Sequence, residues 1–484
     1  MPASRTIPRV GVLTNSIDVF NAEAKDRSEA AVRGLFDELL QQGAIERGSL
    51  LRGRILGPHE AMAVAHEFAA ACVDLIVLVN VGFPNGQVFL TLATHPHLAK
   101  VPLAVVADPE ARSGEWATNA WCGVIMNNYA AKQLGRPIAA IPGPIDGVQF
   151  RASVDQLLHV AAAIKTLRSD FLGRFGDAPG GFHSATASQL AFAATFGTRV
   201  DTVDLSAVAE VLRTGTATGY LGRVSFDDDD VRKTLAQVVE GREVLVDHAM
   251  IEKGVRLYHA FRAMVRANGY TSMAVRCWPE WNESYLGTSA CLAMGLLLAN
   301  GDVTAAACEG DWPTAVAQTI GTVLSGSPAV CLDWVNYTAG SEVVQLGHCG
   351  AGICGKMAPK AAGAAHPCDA IGLHPVLRQA GKRMGPVHLG QFAYGPKTGI
   401  CLVQSPDGRI RLLAFRGESS PETACNMLYS AADVRVANPQ RLGRLILDHG
   451  FPHHLAVAFG DVCEEVRMLC GYLGVEYVSP DERD

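Results

Sequence analysis

The sequence lacks a long hydrophobic run. No uninterrupted apolar stretch approaches the roughly 18–20 residues that would span a bilayer, because every Ala/Leu-rich segment carries Gly, Pro or charge. No apolar segment follows Met1 either: Met-Pro-Ala-Ser-Arg-Thr-Ile-Pro is polar and broken by proline, which reads as no signal peptide. A surplus of basic residues is also missing. Against 48 Asp and Glu stand 41 Lys and Arg, a net charge of −7, which argues against nucleic acid or an anionic membrane as the main partner. Charged residues are sparse at 18%, while 49% of the chain is hydrophobic, so a large core is easy to build and the composition opposes disorder. There is no internal repeat and no low-complexity tract. The 13 cysteines are odd in number and scattered, the usage of reduced buried thiols in a cytosolic protein rather than of a disulfide scaffold. A cytoplasmic location is the expectation.

Strand and helix patterns alternate from the start. Arg9–Thr14 is a short β-rich run, and Glu29–Gln41 places Ala30, Val32, Leu35, Phe36, Leu39 and Leu40 at a helical period. A helix over about 58–71 leads into Val73–Val79, a near-continuous apolar run of the parallel-strand type, and Val101–Val106 is another. This rhythm predicts an open, doubly wound parallel sheet, in which ligands sit at the carboxyl ends of strands. Asn15, Asp18, Asn80, Phe83, Pro84 and Asp108 lie at or just past those ends; taken singly, each reads as a cap or turn residue. A turn-rich break at Ile141–Gly147 and a helix over Val154–Phe171 precede a second α/β unit, with strands at Val200–Leu205, Ser272–Trp278 and Val303–Cys308. The four acids Asp227–Asp230 precede a helix and read as dipole-compensating. From about Ser327 the loops become glycine-rich and strand patterns alternate, with a hairpin turn at Pro406-Asp407-Gly408 and a closing helix at Asp461–Tyr472. The expected fold class is α/β: two Rossmann-like doubly wound domains, 1–168 and 169–328, followed by a β-rich C-terminal domain, 329–484.

The chemistry concentrates in the second half. Glu309 follows directly on an apolar run, and Glu309-Gly310-Asp311-Trp312 stands at the mouth of an expected helix, Thr314–Leu324. Asp333 follows the apolar run Ala329–Leu332 in the same way and precedes Trp334. A half-buried carboxylate is costly unless paired or bound to a cation. Two of them at adjacent strand ends repel unless a cation lies between them or one holds a proton. Asp311 reads as a helix cap. His348, in a Gly-His-Cys-Gly loop, and the pair His453-His454, fixed by Pro452, complete a carboxylate and imidazole set. Such a set suits a hard or borderline divalent metal. Two rival motifs fail on context. Gly350–Gly355 matches G-x-G-x-x-G, but Pro359 falls inside the first turns of the helix a dinucleotide would need. Cys349 and Cys354 beside His348 have no second Cys pair with which to hold zinc.

At these residues the chain resembles the L-fucose isomerase and L-arabinose isomerase superfamily. The segment Glu-Gly-Asp-Trp-x-Thr-Ala at 309–315 looks like the arabinose isomerase metal segment. Asp rather than Glu at 333, and its spacing from Glu309, look more like fucose isomerase, and the Gly-His loop and the His-His pair recur in the same order. Residues 276–281, Arg-Cys-Trp-Pro-Glu-Trp, resemble the broader fucose-isomerase-like group, whose members act on varied sugars. The resemblance implies a metal-dependent aldose–ketose isomerase acting on an open-chain sugar through a cis-enediol. Its Mn²⁺, or another divalent ion, would be held by Glu309, Asp333 and His454, with His348 as a fourth ligand in the arabinose pattern. Glu309 and Asp333 would be the acid/base pair, and Trp278, Glu280, Trp334 and His348 would meet the sugar. Family members assemble as oligomers, so a homo-oligomer, hexamer or trimer, is implied, with Asn15, Asp18 and Phe83 reaching a neighbour's site. A sulfonated, phosphorylated or branched sugar stays open. The competing readings are an epimerase, lyase or decarboxylase using the same enediolate, and a non-catalytic sugar-binding protein.

Overall fold

The computed structural model describes residues 6–110, 114, 116–277, 279, 287–337, 340–350, 352–353, 356–358, 370–372, 385–424 and 429–482. They divide into two compact units: Thr6–Lys165 with Arg467–Gly474, and Thr166–Val466 with the residues from Val475 on.

The first unit is built on five parallel strands: β1 (Val10–Asn15), β2 (Leu50–Ile55), β3 (Leu75–Asn80), β4 (Leu103–Ala107) and β5 (Ala139–Pro142). Their spatial order is β2-β1-β3-β4-β5, the flavodoxin-like doubly wound order with its switch point between β1 and β3. Helices cover both faces, which is why β4, and β3 up to Asn80, read as unbroken apolar runs. On one face Val32, Phe36, Leu39, Leu157 and Leu158 pack on Val10, Val12 and Leu75. On the other, Val64, Phe68, Leu92 and Val124 pack on Leu13, Ile76 and Leu78. The first helix, Ala22–Gln41, begins earlier than its apolar period suggests because Asn21 caps it, accepting from the Ala24 N–H. The segment Arg467–Gly474 completes this unit. The Tyr472 hydroxyl donates to the Leu103 carbonyl (3.0 Å) and accepts from the Ala139 N–H (3.2 Å), and Met468 packs on the same core.

Among the described residues the second unit holds two main sheets and a small antiparallel pair, Thr216–Gly219 with Gly222–Ser225. A parallel sheet runs in the order Ala306–Ala307, Ser272–Val275, Phe171–Phe175, Arg199–Val203. A larger, mainly antiparallel sheet contains Val330–Tyr337, Val343–His348, Gly395–Gln404, Ile410–Ser419 and His454–Phe459. The fold is therefore mixed α/β, with parallel Rossmann-like units and a β-rich C-terminal region. Several expected boundaries move. The helix expected to end at Phe171 is Val148–Ser169, and Phe171 opens a strand. The strand expected over 303–308 shrinks to Ala306–Ala307. Asp227 and Asp230 form a reciprocal capping box on helix Asp228–Val239, consistent with acids serving a helix start. Among the described residues no helix is long and apolar enough to cross a membrane.

Helix Trp312–Ser325 links the two sheets and sets the geometry of the site. Its 14 residues rise about 21 Å, and the chain from Gly326 to Asp333 runs about 23 Å when extended. The returning strand thus brings Asp333 back beside the start of the helix. Gly321 permits the close approach: an added Cβ would stand 3.1–3.4 Å from Ala329, Ala458 and Ile400.

Candidate metal centre

Glu309 occupies the turn between strand Ala306–Ala307 and helix Trp312–Ser325. Its φ is +57° and that of Gly310 is +63°. For a glutamate the left-handed region costs about 1–2 kcal/mol, so the surroundings must hold it there. The Gly310 N–H donates to the Val275 carbonyl and the Asp311 N–H to that of Cys308, both at 2.9 Å. Arg174, buried, donates Nε to the Gly310 carbonyl at 3.0 Å. A Cβ on residue 310 would stand 3.0 Å from the Asp177 carbonyl oxygen, so this turn needs glycine twice over, for its φ and for its space.

Asp333 is not at a strand end. It lies within Val330–Tyr337, opposite Gly347 on one side and His454 on the other. His348 closes Val343–His348, and His454 opens His454–Phe459 rather than ending a turn. The two acids therefore come from different sheets, not from adjacent strand ends. The register of three antiparallel strands gathers Asp333, His348 and His454, and the strained turn swings Glu309 in.

The distances centre on one atom. His454 Nε2 lies 3.6 Å from Glu309 Oε2, 3.4 Å from Asp333 Oδ1 and 3.3 Å from His348 Nε2. His348 Nε2 is 3.8 Å from Asp333 Oδ2, and His453 Nε2 is 3.4 Å from Glu309 Oε2. Two overlapping groups, Glu309 with His453 and His454, and Asp333 with His348 and His454, each present ligand atoms within 4.8 Å of one another. His454 belongs to both. His453 faces Glu309, while its Nδ1 is 2.9 Å from the Ser184 hydroxyl.

Exposure gives the cluster an open side. His454 and His348 side chains are buried, whereas those of Asp333 and His453 are 35% and 40% exposed and that of Glu309 13%. Burial pushes the Glu309 carboxyl up. The His453 hydrogen bond and the nearby His454 and His348 outweigh it and hold the group below its ordinary value. His453 is raised, first by its hydrogen bond to Glu309. The donors are carboxylate oxygens and imidazole nitrogens, which fit a hard or borderline divalent cation. A cation would also relieve the repulsion of two acids facing one imidazole nitrogen.

Four contacts here had no signal in the sequence. Asp311 caps the helix as expected, accepting from the Thr314 N–H, but its Oδ2 also lies 2.8 Å from His454 Nδ1. Cys349 Sγ is 3.2 Å from His348 Nδ1. Ser184 and Arg174 come from segments more than 100 residues away in the chain.

The expected sugar contacts divide. Trp334 alternates to the other face of its strand from Asp333 and packs on Phe415, ring centres 5.4 Å apart. Trp278 and Glu280 lie outside the described residues. Asn15, Asp18 and Phe83 belong to the first unit. There the Asn15 amide donates to the Asn85 carbonyl and accepts from the Asn85 N–H, Asp18 is exposed, and the Phe83 backbone bonds Ile17 and Thr118.

Residues 11–168 match the family model described as fucose/sulfoquinovose isomerase, N-terminal domain. A sulfoquinovose isomerase of Clostridium sp. (strain MSTE9) is 26% identical over 412 residues, covering 84% of this chain and 86% of that protein. One from Alkalicoccus urumqiensis is 25% identical over 408 residues, covering 82% and 84%. Among solved structures, an ABC transporter solute binding protein from Burkholderia multivorans covers 66% of this chain and 95% of its own at 12% identity. Its TM-score of 0.17 is too low to carry an argument.

Proposed function

The chain belongs to the fucose-isomerase-like superfamily and is a sugar isomerase, and on that premise we propose that it interconverts the aldose and ketose forms of a sulfonated sugar. Glu309, Asp333 and His454, with His348, would hold a divalent cation such as Mn²⁺. The observation that carries this reading is the convergence of two carboxylates and a second imidazole on His454 Nε2, at 3.6, 3.4 and 3.3 Å. A module that only binds sugar needs no such convergence. When bound, the ion supplies Lewis acidity that polarises a sugar carbonyl and its neighbouring hydroxyl.

The rest falls to the chain's own residues. Glu309 is kept ionised by the imidazoles around it, as a general base must be. It would take the proton from C2 of the open-chain sugar. Asp333, on the open side of the cluster, would manage protons on the far side of the resulting cis-enediol. The sulfonate is suggested by the named activity of the two relatives. A homo-oligomer, with the first unit's Asn15, Asp18 and Phe83 reaching a neighbour's site, belongs to the same reading.

The test is to strip the protein of metal, restore Mn²⁺, and offer sulfonated, phosphorylated and plain aldoses in D₂O. A ketose should form from a sulfonated aldose with deuterium entering at C1, the aldose re-formed from the enediol should carry deuterium at C2, and EDTA should stop both the isomerisation and the exchange. Exchange without a ketose would make the enzyme an epimerase. Absence of exchange with every sugar would remove the enediol chemistry altogether.

A further inference from the structure

Asp311 makes a contact that capping does not require. It is fully buried. Its Oδ1 accepts from the Thr314 N–H at 2.9 Å, and its Oδ2 accepts from the Thr314 hydroxyl at 2.9 Å and meets His454 Nδ1 at 2.8 Å. Asn or Ser would start the helix about as well, so the cap alone gives no reason for a buried charge. A carboxylate has only acceptors to offer, so the proton in the contact with His454 sits on Nδ1. A neutral ring protonated there carries its lone pair on Nε2. That is the nitrogen lying between Glu309, Asp333 and His348. Arg174, whose Nε holds the Gly310 carbonyl, also interacts electrostatically with Asp311.

We propose that Asp311 is a positioning residue: it fixes His454 as the Nδ1–H tautomer and so aims the Nε2 lone pair at the point shared with Glu309, Asp333 and His348. The proposal rests on the metal reading above. Ligating histidines commonly give their second N–H to a carboxylate, and loss of that partner weakens metal binding about 10–100-fold. In Asp311→Asn the amide oxygen can still accept from Thr314, while the NH₂ turns toward Nδ1. Nδ1 must then accept, the proton moves to Nε2, and the lone pair is lost to the site.

Two readouts separate the proposal from its premise. The first needs no metal. In metal-stripped protein with ¹⁵N-labelled histidine, ring nitrogen shifts report which nitrogen of His454 holds the proton, with His454→Gln locating the signal. Nδ1–H is expected in the wild type and Nε2–H in Asp311→Asn. The second is a Mn²⁺ titration, in which Asp311→Asn should bind about 10–100-fold more weakly with little change in thermal midpoint. Asp311→Ser, able to cap but too short to reach His454, should lose affinity likewise, and it serves if the Asn variant folds poorly. A wild-type Nε2–H signal, or wild-type Mn²⁺ affinity in both variants, overturns the proposal. If the tautomer follows residue 311 but the wild type binds no divalent cation, the metal reading fails and the positioning role stands.

Discussion

Glu309→Gln keeps the shape of the side chain and removes its charge, so it separates chemistry from folding. Turnover should fall at least about 100-fold, the scale of a lost general base, while the far-ultraviolet dichroism stays that of the wild type. Retained activity would take Glu309 out of the chemistry. A second residue tests stability away from the site. Lys397 is buried, donates Nζ to the Gly395 carbonyl at 3.0 Å, and stands 5.3 Å from the centre of the Phe459 ring. Burial pushes its ammonium down from the ordinary 10.5 to about 8. Between those values the unfolded chain binds the proton and the folded one does not, so stability rises with pH across the window. Below about pH 8 the whole penalty applies, up to about 3 kcal/mol. Lys397→Met should therefore unfold at higher urea than the wild type at pH 7, with the advantage shrinking as pH climbs from 8 toward 10.5. An advantage that ignores pH would contradict this account.

At the scale of elements, what could be read depended on range. Apolar runs ending in an acid marked Glu309 and Asp333, and the parallel βαβ rhythm of the first unit followed from β4 being apolar throughout and β3 being apolar up to Asn80. Strand register could not be read. Nothing local in the sequence pairs Asp333 with His454 some 120 residues on, because pairing is decided by which faces are buried together. For the same reason Asp311 was legible as a cap, a local bond to Thr314, and illegible as a partner of His454. The register has a vulnerable point. A Cβ on Gly347, which faces Asp333, would collide with the Tyr429 ring. Gly347→Ala should cost about 1–3 kcal/mol by overpacking and should weaken Mn²⁺ binding by shifting His348. Chemical denaturation and metal titration of the one variant measure both, and an unchanged denaturation midpoint would show that the strand yields without strain.

At the scale of the whole molecule, the proposed ligands all lie in the unit that begins at Thr166. Mn²⁺ at 100 times its Kd should add about 2.7 kcal/mol to the stability of whatever must unfold to release it. Hydrogen exchange with and without EDTA should thus show protection gained in Val330–Tyr337, Val343–His348 and His454–Phe459 and unchanged in β1 to β5. Equal gains in both units would count against a cluster held by one. The other unit raises a matter of timing. Met468 and Tyr472, which close its core, follow Lys165 by about 300 residues. At ~5–20 residues per second, a ribosome takes roughly 15–60 s to deliver them. Through that interval the emerging sheet waits with the Leu103 carbonyl and the Ala139 N–H lacking their tyrosine, a unit that is closed only after Thr166–Val466 of the next one has been made. A chain stopped at Val466 would be held at that stage, and residues 6–165 within it should be cut by protease faster than in the full-length protein.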